Sequence, residues 1–579
     1  MIRDPDLQSL QEVRDLIERA VQAQQKFADF SQAQVDTVID AMAEAATAAA
    51  EELARLAVEE TGYGNVKDKI AKNLFSSQDV HRAIRSMKTV GVLREDRENQ
   101  VLEVAEPVGV VAAILPSTNP TSTAIYKTLI ALKGCNAIVL SPHPAARRCI
   151  CATSDVMYRA ALKVGAPEGI IGCMTQITMP ATQELMRDRR VGVILSTGGA
   201  GVVRAAYSSG KPAFGVGPGN VPAFIERTAN VQKAVADIIT GKCFDNGTIC
   251  SAEQAILVEE ALREAVLAEL RAQGAYFLNP QEIETLGRLV IRSDTFTVNP
   301  KVVGRTAIVI AEMAGIKVLP STRVLVAPLT GVGKEHPLSA EKLSPILAFY
   351  TVANWQEAVK LSTEILRFGG LGHTAVIHSN NDAVIRQFGQ QIPAYRVVVN
   401  STAPHGSIGH STRLFPAMTL GCGAVGGNIT SDNISPMHLI NIKRIAWETR
   451  PVPHITDPVA ATTTLPTAVR PLEAIAAAAV PSRATVARVV ERFLVQKGVP
   501  QASPSPAPAA EPPRTQPAQT RPAAEFVSES DVRAALARQE KILISPRTIL
   551  TPSARDLGFE RNVFVETPAA AEAAAPRGE

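Results

Sequence analysis

The sequence has almost no surplus of one charge: 59 Lys and Arg against 56 Asp and Glu leave a formal +3 over 579 residues. That excludes the basic field of a nucleic-acid binder and the acidic block of a solvating tail. Long apolar runs are also missing. The longest, Pro107 to Pro116, is far shorter than the ~20 residues that span a bilayer. The N-terminal MIRDPDLQSLQEVRD is charged and lacks the apolar centre of a signal peptide. Seven cysteines without regular spacing do not make a disulfide framework in a chain this long. What is present is an ordinary globular composition, 46% apolar. At ~150 residues per domain the length allows up to about four domains. The expectation is a soluble intracellular protein that engages neither nucleic acid nor membrane.

Leu7, Leu10, Val13, Leu16, Ile17 and Val21 recur at spacings of three and four, which predicts a helix with one apolar stripe. An Ala-rich helical stretch follows and ends near Gly62 and Gly64. The texture then alternates. Strand-length apolar runs (Val108–Leu115, Ala137–Leu140, Val191–Ser196) are separated by helical stretches at Thr121–Lys133 and Ala145–Val164. A second alternating block carries strand candidates at Ala255–Val258, Ala307–Ile310, Arg323–Ala327 and Ala375–Ile377. Short apolar strands alternating with helices predict α/β domains whose parallel sheets are covered on both faces. The domain reading is 1–229, then 230–429, a return segment over 430–450, and a tail from 451 to 579. Residues 499–525 hold eight Pro and seven Ala among 27, too little to bury a core. Helical candidates flank this linker at 484–497 and, more weakly, at Ser530–Lys541. Beyond them ILISPRTILTPSARDLG reads as short extended pieces, and no internal repeat is evident.

Chemistry concentrates in Lys242-Cys-Phe-Asp-Asn-Gly-Thr-Ile-Cys250-Ser-Ala-Glu-Gln. A predicted helix ends near Cys243, a polar loop with Gly247 follows, and a strand begins near Glu253. Cys250 thus sits at a loop–strand junction, where a thiol can meet a substrate as nucleophile. Cys149, Cys151 and Cys243 fall in helical stretches and read as small inert hydrophobes. Gly198 and Gly199 follow an apolar strand and precede a helix, as close approach to a phosphate-bearing cofactor requires. They do not form GxGxxG, so spacing alone fits a plain turn equally well. Asn119-Pro has a similar double reading, since Asn-Pro commonly starts a turn. His143, bracketed by prolines, suits a pocket wall or an exposed loop. His373 and His378 flank a predicted strand on opposite faces, and no metal site is expected.

These residues lie in an ordered set of segments that resembles the aldehyde dehydrogenase superfamily, in particular its coenzyme-A-acylating branch, including members associated with bacterial microcompartments. FDNGTICSAEQ looks like the nucleophile segment, and Leu115-Pro-Ser-Thr-Asn119-Pro the segment with the oxyanion-binding Asn. Val139-Leu-Ser-Pro-His-Pro is similar to the strand end beside the adenosine half of the dinucleotide. Ser196-Thr-Gly-Gly-Ala-Gly resembles the turn beneath the cofactor, and Glu341-Lys-Leu-Ser-Pro-Ile the segment holding the nicotinamide ribose. Gly370-Leu-Gly-His-Thr-Ala and Met437-His-Leu-Ile-Asn-Ile-Lys are further branch-like stretches. The resemblance implies a doubly wound cofactor domain, a catalytic α/β domain, an oligomerising segment near 430–450 and a largely flexible tail. It assigns Cys250 and Asn119 to catalysis. To the cofactor it assigns Pro116, Thr118, Ser141, His143, Thr197, Gly198, Gly199 and Glu341. NAD is the expected cofactor, with Ser141 leaving NADP open.

Hydrolytic relatives carry a Glu general base two residues before a Gly-Gly pair. Here no carboxylate lies between Lys211 and Ile225, and Val216 falls about where the Glu should be. The alternative is that some other Glu substitutes, for instance Glu253, three residues past Cys250. The resemblance therefore implies oxidation of acetaldehyde or propionaldehyde through a thiohemiacetal and an acyl-thioester, with coenzyme A as acceptor. The alternatives are a hydrolytic or phosphate-accepting enzyme of the same fold, or a silent scaffold that recruits shell protein. A fused iron-dependent alcohol dehydrogenase is not expected, because the tail is short and holds a single His, His454. Val486, Val489, Val490, Phe493 and Leu494 lie on one face of the 484–497 helix. That helix resembles encapsulation peptides, which implies a microcompartment shell partner and a place inside that compartment in a bacterial cytoplasm. Docking on its own body or a sister subunit is the other reading, and a homo-oligomer (dimer or tetramer) is expected.

Overall fold

The computed structural model describes residues 4–452, 524–545 and 548–566. The helix expected over 484–497 lies outside the described residues, as does most of the linker. The chain divides into two compact units, Met1–His454 and Ile455–Glu579.

The first unit opens with α1 (Pro5–Phe27), α2 (Gln32–Ala48), α3 (Ala50–Thr61), α4 (Val66–Leu74) and α5 (Val80–Arg85). Asp4 caps α1 through its carboxylate, and Val13, Leu16 and Ile17 of the stripe are buried, with Ala20 beside them, while Leu7 is left exposed. Then come β1 (Val92–Asp96), β2 (Val101–Pro107), β3 (Val110–Ile114), α6 (Pro120–Lys133), β4 (Ala137–Ser141), α7 (Arg147–Lys163), β5 (Ile171–Cys173), α8 (Met179–Arg187), β6 (Val191–Thr197), α9 (Ala200–Tyr207) and β7 (Ala213–Val216). Strands β3 to β7 make a parallel five-stranded sheet in the order β5-β4-β3-β6-β7. The order reverses direction between β3 and β6, the place where doubly wound sheets open a crevice. All fourteen residues of α6 are buried, Lys127 and Lys133 included.

A seven-stranded parallel sheet follows, built from β8 (Val221–Ile225), β9 (Glu253–Glu259), β10 (Ala275–Phe277), β11 (Val324–Pro328), β12 (Ile346–Val352), β13 (Ala375–His378) and β14 (Val397–Val399). Its order is β10-β11-β12-β9-β8-β13-β14. Because β8 already belongs to this sheet, the division between the sheets falls between Val216 and Val221. The sequence-based boundary at 229 is therefore one strand late. Ala307–Ile310, expected as a strand, begins the helix Ala307–Met313. The Thr306 side chain accepts from Val309 N–H there, and an N-cap decides what a short apolar run leaves ambiguous.

The return segment closes the body on the first sheet's side. β15 (Ile440–Ala446) pairs antiparallel with β2, which pairs with β1. Ile408, Ala417, Met418, Leu420, Ile434 and Leu439 share one hydrophobic core with α1, α2, α6 and the five-stranded sheet. Tyr126 donates its hydroxyl to Ile434 O at 2.6 Å.

The described part of the second unit contains a repeat that the sequence reading missed. Phe526–Val527, the helix Glu529–Arg538 and Ile542–Ile544 are followed by Ile549–Leu550, the helix Pro552–Glu560 and Phe564–Glu566. Each strand pairs in parallel with its counterpart in the other copy. What repeats is punctuation rather than sequence. Ser528 and Thr551 cap the helices, and Gln539 and Asn562 leave them in the left-handed region (φ 55° and 57°). The stretch TPSARDLG, expected as extended, is helical because Thr551 caps it and Pro552 takes the first helical position.

Candidate active site between the two sheets

The helix Val231–Cys243, α10, delivers the Cys250 loop. Past Phe244 the chain turns through Asp245 (φ 47°), Asn246 (φ 52°) and Gly247 (φ 76°) before entering β9. Asp and Asn are the non-glycine residues that best tolerate this left-handed region. Asp245 also holds the loop down. Its carboxylate accepts from Lys69 Nζ (2.9 Å), from Lys72 Nζ, from Thr248 Oγ1 (2.7 Å) and from Asn65 N–H (2.8 Å). A Cβ on Gly64 would fall 1.8 Å from Asp245 Oδ1, so only glycine fits there. Burial pushes the Asp245 carboxyl up, but the ammonium groups of Lys72 and Lys69 outweigh it and hold it below its ordinary range. Burial brings Lys72 down to about 8, with Asp245 opposing.

The network reaches the first domain through α4, which carries both lysines. Lys72 Nζ donates to Asn119 Oδ1 at 2.6 Å, and Asn119 Nδ2 is turned to Thr118 Oγ1 (3.2 Å) and Thr248 O (3.4 Å). The Asn119 carbonyl accepts from Thr123 N–H at the start of α6, but its side chain makes no cap bond to that helix. The amide is thus free to face the nucleophile loop.

Cys250 is partly exposed, and its Sγ lies 3.3 Å from His373 Nε2. His373 Nδ1 is 2.9 Å from Thr374 Oγ1, and Arg396 Nε donates to the His373 carbonyl at 3.0 Å. Burial pushes the Cys250 thiol up to about 12, with Glu341 adding and Arg396 opposing. Burial lowers His373 to about 3, and Arg396 adds to that. The resting pair is therefore a neutral thiol against a neutral imidazole, with Nε2 placed to take the sulfur's proton. A Cβ on Gly219 would fall 2.1 Å from Cys250 O, so the strand-to-strand crossing presses directly on the nucleophile loop.

On the other side, a pocket of about 550 Å³ opens at the carboxyl ends of β3, β4 and β6. Pro116, Ser141, His143, Thr197, Gly198 and Gly199 line it, as do Thr178 and Thr182. Two observations fit a dinucleotide there. The Thr197 hydroxyl is buried without a partner, and a Cβ on Gly199 or Gly201 would project into empty space at the start of α9. Burial lowers His143, whose Nδ1 accepts from Ala145 N–H. Lys127 underlies this face, donating to Ile114 O (2.8 Å) and Leu195 O (2.9 Å), and burial drives its ammonium toward the neutral form.

Thr118 does not line that pocket. Its carbonyl accepts from Lys69 and its hydroxyl from Asn119, so it belongs to the Asp245 network. Glu341 stands on the catalytic-domain side, where Oε1 accepts from Gly219 N–H at 3.1 Å and burial raises it to about 7. Glu253 turns elsewhere. Its Oε1 accepts from Ala403 N–H (2.6 Å), and its carboxyl lies against Gly241.

Sequence reasoning missed four residues that hold this site together. The sequence sets His373 only against a metal-ligand role, although it lies in the branch-like segment Gly370-Leu-Gly-His-Thr-Ala. Asp245 stood inside the nucleophile segment without a role. Lys69 and Lys72 gave no signal beyond a spacing of three on a helix.

Residues 2–411 match the aldehyde dehydrogenase family. The chain is 41% identical over 440 residues to the bifunctional aldehyde-alcohol dehydrogenase of Escherichia coli K12. That match takes in 75% of this chain and 49% of the relative, so the chain spans about half that relative's length. Among solved structures, an acetylating aldehyde dehydrogenase from Geobacillus thermoglucosidasius superposes with a TM-score of 0.77 at 52% identity, covering 78% of this chain and all of that one. A propionaldehyde dehydrogenase from the Clostridium phytofermentans fucose utilisation bacterial microcompartment superposes with a TM-score of 0.68 at 30% identity, covering 75% and 97%. By fold, by the cysteine loop and by these likenesses, the chain belongs to the aldehyde dehydrogenase family.

Proposed function

We propose that the protein oxidises a short-chain aldehyde, acetaldehyde or propionaldehyde, to the acyl-coenzyme A, with NAD as hydride acceptor. The observation that carries this reading is the Cys250–His373 pair (3.3 Å) beside a crossing segment, Val216–Gly219, that contains no carboxylate. Water attacks a thioester slowly without a base, whereas a second thiol exchanges readily. The acetylating and propionaldehyde dehydrogenases named above support the same chemistry.

In this mechanism His373 Nε2 takes the Cys250 proton as the sulfur adds to the aldehyde carbon. Asn119 Nδ2 and the Cys250 N–H donate to the oxyanion, each worth ~3 kcal/mol in comparable sites. Pro116, Ser141, His143, Thr197, Gly198 and Gly199 would hold the dinucleotide, with Glu341 at its nicotinamide end. When bound, the nicotinamide accepts the hydride. An acyl-thioester then remains on Cys250. Once His373 has released the first proton to solvent, the coenzyme A thiol attacks the thioester and gives its own proton to His373, which returns it to Cys250 as that sulfur leaves. Aldehyde, coenzyme A and NAD+ thus give acyl-coenzyme A, NADH and one proton.

The address belongs to the same proposal. The tail recruits a microcompartment shell protein through residues 484–497, and the body assembles through the 430–450 segment. The microcompartment origin of one structural relative supports this.

The test is NADH formation from propionaldehyde and NAD, with and without coenzyme A, on wild type and Cys250→Ala. Turnover that requires both coenzyme A and Cys250 is the expected result. Equal turnover without coenzyme A would overturn the acylating reading.

A further inference from the structure

Cys151 and Cys173 lie 22 residues apart in sequence, yet their Sγ atoms are 3.1 Å apart. Cys151 sits in the second turn of α7, and Cys173 ends the edge strand β5. Both are half-buried, within reach of a small solute, and their other sulfur contacts are long ones to Met174 O (3.6 and 3.8 Å). We propose that these two thiols are a modification site, closing to an intramolecular disulfide when a peroxide reaches them and reopening under thiol reductants.

The thiols are not equivalent. Either sulfur can donate in the bond they share; Cys151 stands near the start of α7, one turn beyond Arg147, which favours its thiolate, whereas Cys173 is raised by its contact with Cys151 and by burial. Cys151 is therefore the attacking sulfur. Its thiolate displaces hydroxide from the peroxide and becomes a sulfenic acid. The Cys173 thiol then displaces water from it, forming the S–S bond. Two thiols and one hydrogen peroxide give one disulfide and two waters, so atoms and electrons balance. The remaining cysteines are poor competitors. Cys135, Cys149 and Cys422 are buried, and burial pushes Cys243 up to about 11 and Cys250 up to about 12.

The position gives the bond a consequence. His143 and Pro144, just before α7, line the pocket beside β4, and Ile177, Thr178 and Met179, just after β5, line it too. The disulfide ties together the two elements from which both wall segments spring. Oxidation thus alters dinucleotide affinity, and by linkage the bound dinucleotide shifts the dithiol–disulfide equilibrium by the same factor. This second step rests on the cofactor reading above; the disulfide does not.

The experiment treats full-length protein with equimolar hydrogen peroxide and maps its peptides without reduction, comparing wild type with Cys151→Ser and Cys173→Ser. The expected result in wild type is loss of the mass of two hydrogen atoms, one peptide pair joining Cys151 to Cys173, and recovery with dithiothreitol. Either serine variant should yield no such pair, and Cys173→Ser should retain a sulfenic acid on Cys151 that dimedone traps. Oxidation of Cys250 while Cys151 and Cys173 still alkylate would overturn the proposal, as would disulfide-linked dimers. NAD titration of both forms is expected to show about a fivefold or larger change in Kd, the low end of ordinary coupling between sites. An unchanged Kd with the cross-link present would overturn the coupling and leave the disulfide standing.

Discussion

Lys72 Nζ donates to Asn119 Oδ1 at 2.6 Å, and this one bond decides which end of the amide faces the nucleophile loop. An ammonium has donors only, so the Asn119 oxygen turns to Lys72 and the NH2 group turns to Thr248 and the loop. Lys72→Met should therefore lower kcat by letting the amide flip, and it should also strip Asp245 of one of its two cations. Breaking a buried pair costs about 3–5 kcal/mol. The denaturation midpoint is expected to fall accordingly, and the double variant Lys72→Met/Asp245→Asn to recover part of that loss without recovering kcat. Asn119→Ala should lower kcat about 10²–10³-fold, with little effect on the denaturation midpoint.

The Cys250–His373 pair predicts an alkylation profile. With the thiol raised to about 12 and the imidazole lowered to about 3, neither group titrates between pH 5 and 9. The rate of Cys250 modification by iodoacetamide, followed by peptide mass, should rise smoothly with pH and show no inflection near 6.5. A plateau reached by pH 8 would mean a preformed thiolate–imidazolium pair. His373→Ala should lower turnover by about 10²–10⁴-fold while leaving coenzyme A dependence intact.

Glu253 predicts a pH dependence of stability. Burial raises its carboxyl to about 8, above the unfolded value of 4.5, so the folded state binds the proton more tightly. Its contribution is fully present below 4.5 and is lost as pH rises to about 8. Lys242, lowered to about 7 by burial, acts oppositely above that pH, where its folded form sheds a proton that the unfolded chain keeps. Glu253→Gln should therefore leave stability at pH 5 nearly unchanged and raise it at pH 7, as read from denaturation midpoints at the two values.

The division of the chain at His454 predicts that a protein ending there keeps its turnover. Met1–His454 is a compact unit by itself and contains every residue of the site. The truncated protein should match full-length kcat within about twofold, since removing a segment matters through the contacts it makes. Under the address proposed for the tail, it should also fail to co-purify with shell protein.

The sequence disclosed the α/β texture and both parallel sheets because buried parallel strands are continuous apolar runs, as Val110–Ile114 and Ala137–Ser141 are. It misled at Ala307, where apolarity without a clear period suits either element until Thr306 caps a helix. The segments around Cys250, Asn119 and Gly198 were legible because they are local. His373 reaches Cys250 across 123 positions, Asp245 meets Lys69 and Lys72 across more than 170, and Cys151 meets Cys173 only through the packing of α7 on β5. Such juxtapositions are products of topology and leave no periodic trace. The repeat at 526–566 escaped for another reason: its copies share caps and strand pairings, while their side chains differ.

The return of residues 408–446 to the first sheet also governs how the chain is made. Ile408 to Leu439 complete a core whose strands end at Val216, and β15 joins Ile440 to Pro107. At ~5–20 residues per second of synthesis, roughly ten to forty seconds separate the appearance of β7 from that of Ile408. Throughout that interval the nascent first domain has its full set of strands and lacks one wall of its core. A nascent chain held while the catalytic domain is being made therefore leaves that apolar surface open, the kind of exposure that makes a folding intermediate prone to aggregation.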